Sequence, residues 1–273
     1  MPNSDLLTGR MAPLLNDKVV LVTGGASGLG RAIAKAALEA KAKVCICDVN
    51  DVALAEAEKE LENWYNIGPL NILSKTNADV TIEASAEHAI EYTLHKFGRL
   101  DVLVNCAGVI DGFDPVDTLE KTVWDKVIAT NLTGPALMSK HAVKQFLSQK
   151  HPGGVIINVG STSSLKGGFA GAAYTASKHG LIGLTRNSAA RYANKKIRCN
   201  AILPGPLHTN IYKSFDGVPN EEGLALCQQL LSIPCPSKAE VEKVAKTIVF
   251  LSSDNAEPIN GAVITADGGA TSF

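Results

Sequence analysis

The sequence predicts an α/β protein: a single doubly wound domain with a seven-stranded parallel sheet flanked by helices. Three observations carry this. Seven short runs rich in β-branched and apolar residues are spread along the 273 residues. Several are separated by stretches of helical periodicity, and the runs are close to continuously apolar rather than alternating. A strand apolar on both faces must be covered on both faces, as in a parallel sheet between helical layers. Right-handed crossovers then wind the chain outward in two directions.

Taken in order, residues 1–16 read as a short N-terminal extension ahead of a domain at 17–273. KVVLVT (18–23) is the first strand, and LGRAIAKAALEA after it has helical periodicity. AKVCICD (42–48) is the second strand, followed by an acidic, alanine-rich helix near 51–64. LNILSKTN (70–77) is the third, with a helix from about Thr81 to Phe97 behind it. DVLVNCAG (101–108), GGVIINVG (153–160) and IRCNAILPG (197–205) are the fourth to sixth, and GAVITADGG (261–269) the seventh. Residues 206–252 lack a strand and are expected to be helical, lying over the carboxyl edge of the sheet and covering a substrate. No repeat or Pro/Gly linker divides the chain.

Composition excludes several classes. Apolar residues make up 45% and charged residues 19%, with a formal net charge of −1. No global field favours nucleic acid or an anionic membrane. No apolar run approaches a membrane span, and the opening residues lack a secretory signal. The expectation is a soluble, cytoplasmic protein without nucleic-acid or membrane partners. The six cysteines (45, 47, 106, 199, 227 and 235) contain no C-x-x-C and read as free thiols. The six histidines show no metal-ligand spacing, so no metal is expected.

The turn after the first strand, TGGASGLGRAIA, has glycines at 24, 25, 28 and 30. Glycine permits a φ > 0 turn and close approach of backbone to ligand. The helix after the turn offers free N–H groups and a positive dipole end to a pyrophosphate. Gly24, Gly28 and Gly30 follow T-G-x-x-x-G-x-G, a spacing variant of the dinucleotide fingerprint. The second strand ends at Asp48, where a carboxylate can accept from both ribose hydroxyls and repel a 2′-phosphate. That argues for NAD over NADP; a helix cap is the competing reading of Asp48.

Three tyrosines have a lysine four residues on: Tyr92 with Lys96, Tyr174 with Lys178, and Tyr192 with Lys196. Tyr92 and Tyr192 lie late in helices that feed a strand's amino end. Only Tyr174 begins a helix after the exit loop of a strand, on the ligand-binding edge. Only Tyr174 has a serine, Ser161, thirteen residues before it. YTASK is therefore the candidate active site, and the other two pairs are structural.

With these motifs assembled, the chain resembles the short-chain dehydrogenase/reductase family, in its short, single-domain, Rossmann-type subgroup. The resemblance rests on TGGASGLG, NCAG (105–108), Asn131, Ser161, YTASK and PGPLHT (204–209), in the family's order from Lys18 to Gly269. It implies that Tyr174 is the general acid/base and that Ser161 bonds the substrate oxygen. Lys178 would bind the nicotinamide ribose and lower the phenol's pKa, and Asn131 would anchor a water of the proton relay. Asp48 would hold the adenine ribose, and Asp79 the adenine amino group. Leu207 and Thr209 would hold the carboxamide, with Pro204 beside them. Further cofactor contacts are implied at Ser27 and Leu29 in the glycine turn, at Val80, and at Asn105, Ala107 and Gly108. Cys106 replaces the family's frequent asparagine, with little effect expected. A homotetramer is implied as well.

The expected activity is an NAD-dependent interconversion of a secondary alcohol and a ketone. The alternative is a non-catalytic dinucleotide-binding sensor or scaffold, which should have lost one of Asn131, Ser161, Tyr174 or Lys178. Pocket borders at 109–116, 162–170 and 207–232 include Val109, Phe113, Leu165, Phe169, Ile211, Tyr212 and Phe215. They suggest an uncharged, apolar substrate resembling a terpenoid, steroid or polyketide.

Overall fold

A computed structural model of the chain describes residues 13–65, 73–232 and 239–272. Most of the 1–16 extension, residues 70–72 of the expected third strand, and Cys235 lie outside these. Seven parallel strands form one sheet in the order β3-β2-β1-β4-β5-β6-β7. They are β1 (Val19–Thr23), β2 (Lys43–Asp48), β3 (Leu73–Asn77), β4 (Val102–Asn105), β5 (Gly154–Val159), β6 (Ile197–Pro204) and β7 (Val263–Ala266). Each falls within the run expected to form it. The sheet winds one way through β1, β2 and β3 and the other way through β4 to β7. Between β1 and β4 lies the switch point, where such sheets open a crevice at their carboxyl edge.

Both faces are covered. One carries α1 (Gly28–Glu39), α2 (Asp51–Tyr65) and α8 (Val241–Ser252), packed on Val20, Val22, Val44, Ile46, Val102 and Val104. The other carries α3 (Glu83–Phe97), α5 (Gly134–Ser148) and α6 (Ala172–Tyr192), packed on Val19, Leu21, Cys45, Cys47 and Leu103. Successive strand residues thus enter opposite cores, and for that reason the runs are apolar throughout. Cys45 and Cys47 share a face as expected, and five cysteines are free among the described residues.

One stretch departs from the sequence reading. Residues 206–252 do not lie over the carboxyl edge as one unit. A 3₁₀ turn (Asn210–Ser214) and α7 (Glu221–Leu231) sit there, whereas α8 packs against α1 on a face of the sheet. A parallel strand pair needs a crossover on one face, and of the two helices between β6 and β7 it is α8 that packs on a face of the sheet. Its Val244, Ala245, Ile248 and Val249 meet small α1 residues such as Ala34 and Ala37. The connection between β4 and β5 is built from two helices. There α4 (Lys121–Ile128) runs into α5 through a π-helical turn, Ala129–Thr133.

Candidate active site

A cavity of about 670 Å³ opens at the carboxyl edge beside the switch point. Its floor is the glycine turn. Gly24 has φ +66° and Gly28 φ +48°, and a Cβ on Gly24 would stand 2.9 Å from Ala107 Cα. A Cβ on Gly30 would overlap the Gly24 carbonyl oxygen, so helix and turn pack as closely as only glycine allows. Opposite, Thr23 Oγ1 accepts from the N–H groups of Cys106 and Ala107, both at 3.0 Å, tying the ends of β1 and β4 together.

Most of the residues expected to touch a cofactor come together here. Gly24, Ser27, Gly28, Leu29 and Gly30 line the cavity, with Asp48, Asp79, Val80, Ala107, Gly108, Pro204, Leu207 and Thr209. Asp48 accepts from the N–H of Ala26 at 3.3 Å and of Asn50 at 3.2 Å. It does not cap α2: Asn50 Oδ1 takes that role, accepting from Ala53 N–H at 3.0 Å. Asp79 accepts from Thr81 through Oδ1. Asn105 departs from expectation. Its side chain is buried beneath the crevice and donates to Asn158 Oδ1 at 2.8 Å and Ser139 Oγ at 3.2 Å, outside the cavity wall. As the last residue of β4, it points into the helix-covered face rather than to the opening.

Tyr174 and Lys178 stand one turn apart on the first part of α6, both lining the cavity and both more than nine-tenths buried. Lys178 Nζ donates to Val159 O at 2.8 Å and lies 5.5 Å from the centre of the Tyr174 ring. Ser161 ends the loop after β5 and caps a short 3₁₀ turn, its Oγ accepting from Ser163 N–H at 3.1 Å. Its hydroxyl lies near enough to the Tyr174 phenol to favour the ionised form. The two decoys are elsewhere: Tyr92 bonds Ser74 Oγ at 3.0 Å on α3, and Tyr192 packs at the end of α6.

Burial pushes Tyr174 up to about 12, against the Ser161 hydrogen bond, and the charges of Tyr212, Asp111 and Cys106 add to the rise. Burial also brings Lys178 down to about 8. In both groups burial, which disfavours the charged form, is the largest cause of the shift. Cys106 beside them is likewise pushed up to about 12 by burial.

Asn131 sits in the π-helical turn, 1% exposed. Its Oδ1 accepts from Val109 N–H and its Nδ2 donates to Val109 O, both at 2.9 Å. Nδ2 also reaches Ser177 Oγ at 3.2 Å, and that hydroxyl donates to Tyr174 O at 2.7 Å. The amide thus ties Val109 of the cavity wall to Ser177 on α6. Sequence reading missed Thr23, Ser177 and Asp111. Ser177 was legible only as the third position of YTASK after its tyrosine.

On the substrate side, Val109, Ile110, Ile211 and Tyr212 wall the cavity, and Phe113 stacks behind Tyr212 with ring centres 6.5 Å apart. Phe215 belongs to the same apolar cluster. Leu165 is exposed, and His208 is an exposed residue outside the wall. Among the described residues no cluster of His, Cys, Asp or Glu could hold a metal, and no helix is long and apolar enough to cross a membrane.

Known proteins share this arrangement. Residues 24–271 match the family model described as enoyl-(acyl carrier protein) reductase. A short chain dehydrogenase/reductase of Colletotrichum higginsianum is 41% identical, with 94% of this chain and 95% of the relative aligned. A 3beta-hydroxysteroid dehydrogenase of Eggerthella lenta is 36% identical over 97% of this chain and 98% of its own. The crystal structure of a 3-ketoacyl-(acyl-carrier-protein) reductase from Brucella melitensis, complexed with NADH, superposes with a TM-score of 0.82 at 29% identity, covering 94% of this chain and 99% of that one. A glycine-floored crevice at the switch point, a buried Tyr174–Lys178 pair beside it, and these relatives lead to one conclusion: the chain is an oxidoreductase of the short-chain dehydrogenase/reductase family.

Proposed function

We propose that the protein is an NAD-dependent dehydrogenase/reductase interconverting an uncharged, apolar secondary alcohol and its ketone. One observation carries this reading: Tyr174 and Lys178 face the same cavity as the glycine turn and Asp48. The residues fit a dinucleotide. The Gly24–Gly30 turn leaves room for a pyrophosphate at the start of α1, and Asp48 stands at the end of β2 where an adenine ribose would lie. A bound nicotinamide supplies the carbon that accepts or returns hydride.

The chain's own residues handle the proton and the orientation. Tyr174 donates a proton to the substrate oxygen in reduction and takes one in oxidation, and Ser161 holds the same oxygen by a hydrogen bond. Lys178 holds a ribose and adds positive charge near the phenol. With its pKa raised, Tyr174 is set to donate, so oxidation should accelerate with rising pH until the phenol ionises. Selectivity for NAD rests on the Asp48 carboxylate, with the uncharged Val49 next to it. The apolar wall from Val109 to Tyr212 supports a ring alcohol of terpenoid, steroid or polyketide type, as does the hydroxysteroid dehydrogenase among its relatives. The same reading places the enzyme in the cytoplasm as a homotetramer without nucleic-acid or membrane partners.

The test is NADH formation at 340 nm from a panel of cyclic and linear secondary alcohols, with NAD and with NADP, using wild type, Tyr174→Phe and Asp48→Ala. The expected result is turnover with NAD, a drop of about 10²–10⁴-fold in Tyr174→Phe, and a narrowed NAD preference in Asp48→Ala. Turnover that survives Tyr174→Phe would overturn the mechanism. NADH binding without turnover of any alcohol or ketone would favour the sensor alternative.

A further inference from the structure

The residue that anchors the start of α6 is a buried aspartate. Asp111 is 1% exposed and lies on the loop after β4. Its Oδ2 accepts from the Tyr174 N–H at 2.8 Å. Its Oδ1 accepts from Gly171 N–H at 2.9 Å and from Phe113 N–H at 3.2 Å. The carboxylate therefore caps the helix that carries Tyr174 from a point about sixty residues away in sequence. Gly171, which precedes α6, must be glycine-sized, because a Cβ there would stand 2.6 Å from Asp111 Oδ2.

The loop holding Asp111 is tied to the substrate side by its other backbone groups. Ile110 N–H donates to Ser214 Oγ at 3.0 Å, and Gly112 O accepts from Asn220 N–H at 2.8 Å. Phe113, held at φ +64°, stacks on Tyr212. One loop thus joins the 210–214 turn and α7 to the backbone of the tyrosine.

We infer that Asp111 is a positioning residue for Tyr174: its buried carboxylate fixes the first turn of α6 and with it the place of the phenol in the cavity. This rests on the dehydrogenase reading only for its effect on turnover. Besides burial, the groups acting on the phenol are Ser161, Tyr212, Asp111 and Cys106, and Lys178 Nζ lies 5.5 Å from the ring centre. Within that set Asp111 is the carboxylate, and it acts through a dry interior where charge is poorly screened. A negative charge opposes phenolate, so removing it lowers the pH at which Tyr174 ionises.

The test uses full-length protein labelled with [¹³Cζ]tyrosine, titrated by NMR with and without NAD. The Tyr174 resonance is assigned by its loss in Tyr174→Phe. In Asp111→Asn the Tyr174 midpoint should fall by about half a unit to one unit, while Asp111→Glu, which keeps the charge, should stay nearer wild type. In both variants kcat should fall about tenfold or more, because the helix start is no longer held. A midpoint unchanged in Asp111→Asn would overturn the proposal, whatever happens to turnover. Should Asp111→Asn fail to fold, Asp111→Ser, a shorter neutral acceptor, is read by the same criterion. The titration needs no substrate, so a protein with no dehydrogenase activity still decides the role of Asp111.

Discussion

Lys178 shows how function and stability oppose each other at a single residue. Its ammonium is buried and bonded to one carbonyl, with a pKa brought down from 10.5 to about 8 by desolvation. Below pH 8 both folded and unfolded chains hold the proton, so the native state carries the full cost of a buried charge. Between about 8 and 10.5 the native state releases it first, and stability rises with pH across that window. Tyr174 acts higher and with the opposite sign: its extra stability is complete below pH 10 and lost toward 12. Lys178→Met should therefore raise Tm by about 2–4 °C at pH 7, and that gain should shrink by pH 10 while activity is lost. A difference in melting temperature that stays constant from pH 7 to 10 would contradict this account. The Tyr174, Ser161 and Lys178 side chains were legible because their spacing repeats a helix turn and a strand exit. Asp111 was not, since its role is made by N–H groups that only the fold brings to it.

At the scale of elements, the π-helical turn at 129–133 is the piece that most affects the site. A π turn inserts one extra residue and rotates the helix beyond it; here it places Asn131 with its amide against both polar groups of Val109. Asn131→Ala would leave the N–H and C=O of Val109 without these partners beside the cavity. We expect a loss of about 2–4 kcal/mol in urea-unfolding stability and roughly tenfold weaker NADH binding by fluorescence, as the 107–110 wall loosens. Unchanged stability and affinity would show that the wall is held by other contacts, such as Thr23. The helix α8 illustrates the reverse problem. Its apolar periodicity announced a helix, but a strandless segment was read as a lid, and only the need for a crossover to β7 puts it on a face of the sheet.

For the whole molecule, the two helical layers leave some apolar side chains facing outward. Leu147 on α5 is 42% exposed and Phe250 on α8 is 39% exposed. Such residues on the outer helices suit a further layer of packing, consistent with the proposed homotetramer. Light scattering in dilute solution should return four times the 28.7 kDa chain mass, and Phe250→Lys should shift it toward smaller species. A wild-type protein that stays at the mass of one chain at micromolar concentration would remove the tetramer from the proposal.

What the sequence alone determined is what short-range chemistry controls. Seven apolar runs specified a doubly covered parallel sheet, glycine spacing specified a tight turn before a helix, and the Ser161, Tyr174 and Lys178 offsets specified one active edge. Each of these is written within about twenty residues, where strand period, helix period and the φ freedom of glycine decide the outcome. Tertiary structure alone decided which of these groups meet and what their surroundings do to them. It turned Asn105 away from the cavity, divided 206–252 between an edge and a face, and brought Asp111 to the start of α6. Burial and long-range hydrogen bonding are properties of how distant segments pack, and no local spacing encodes them.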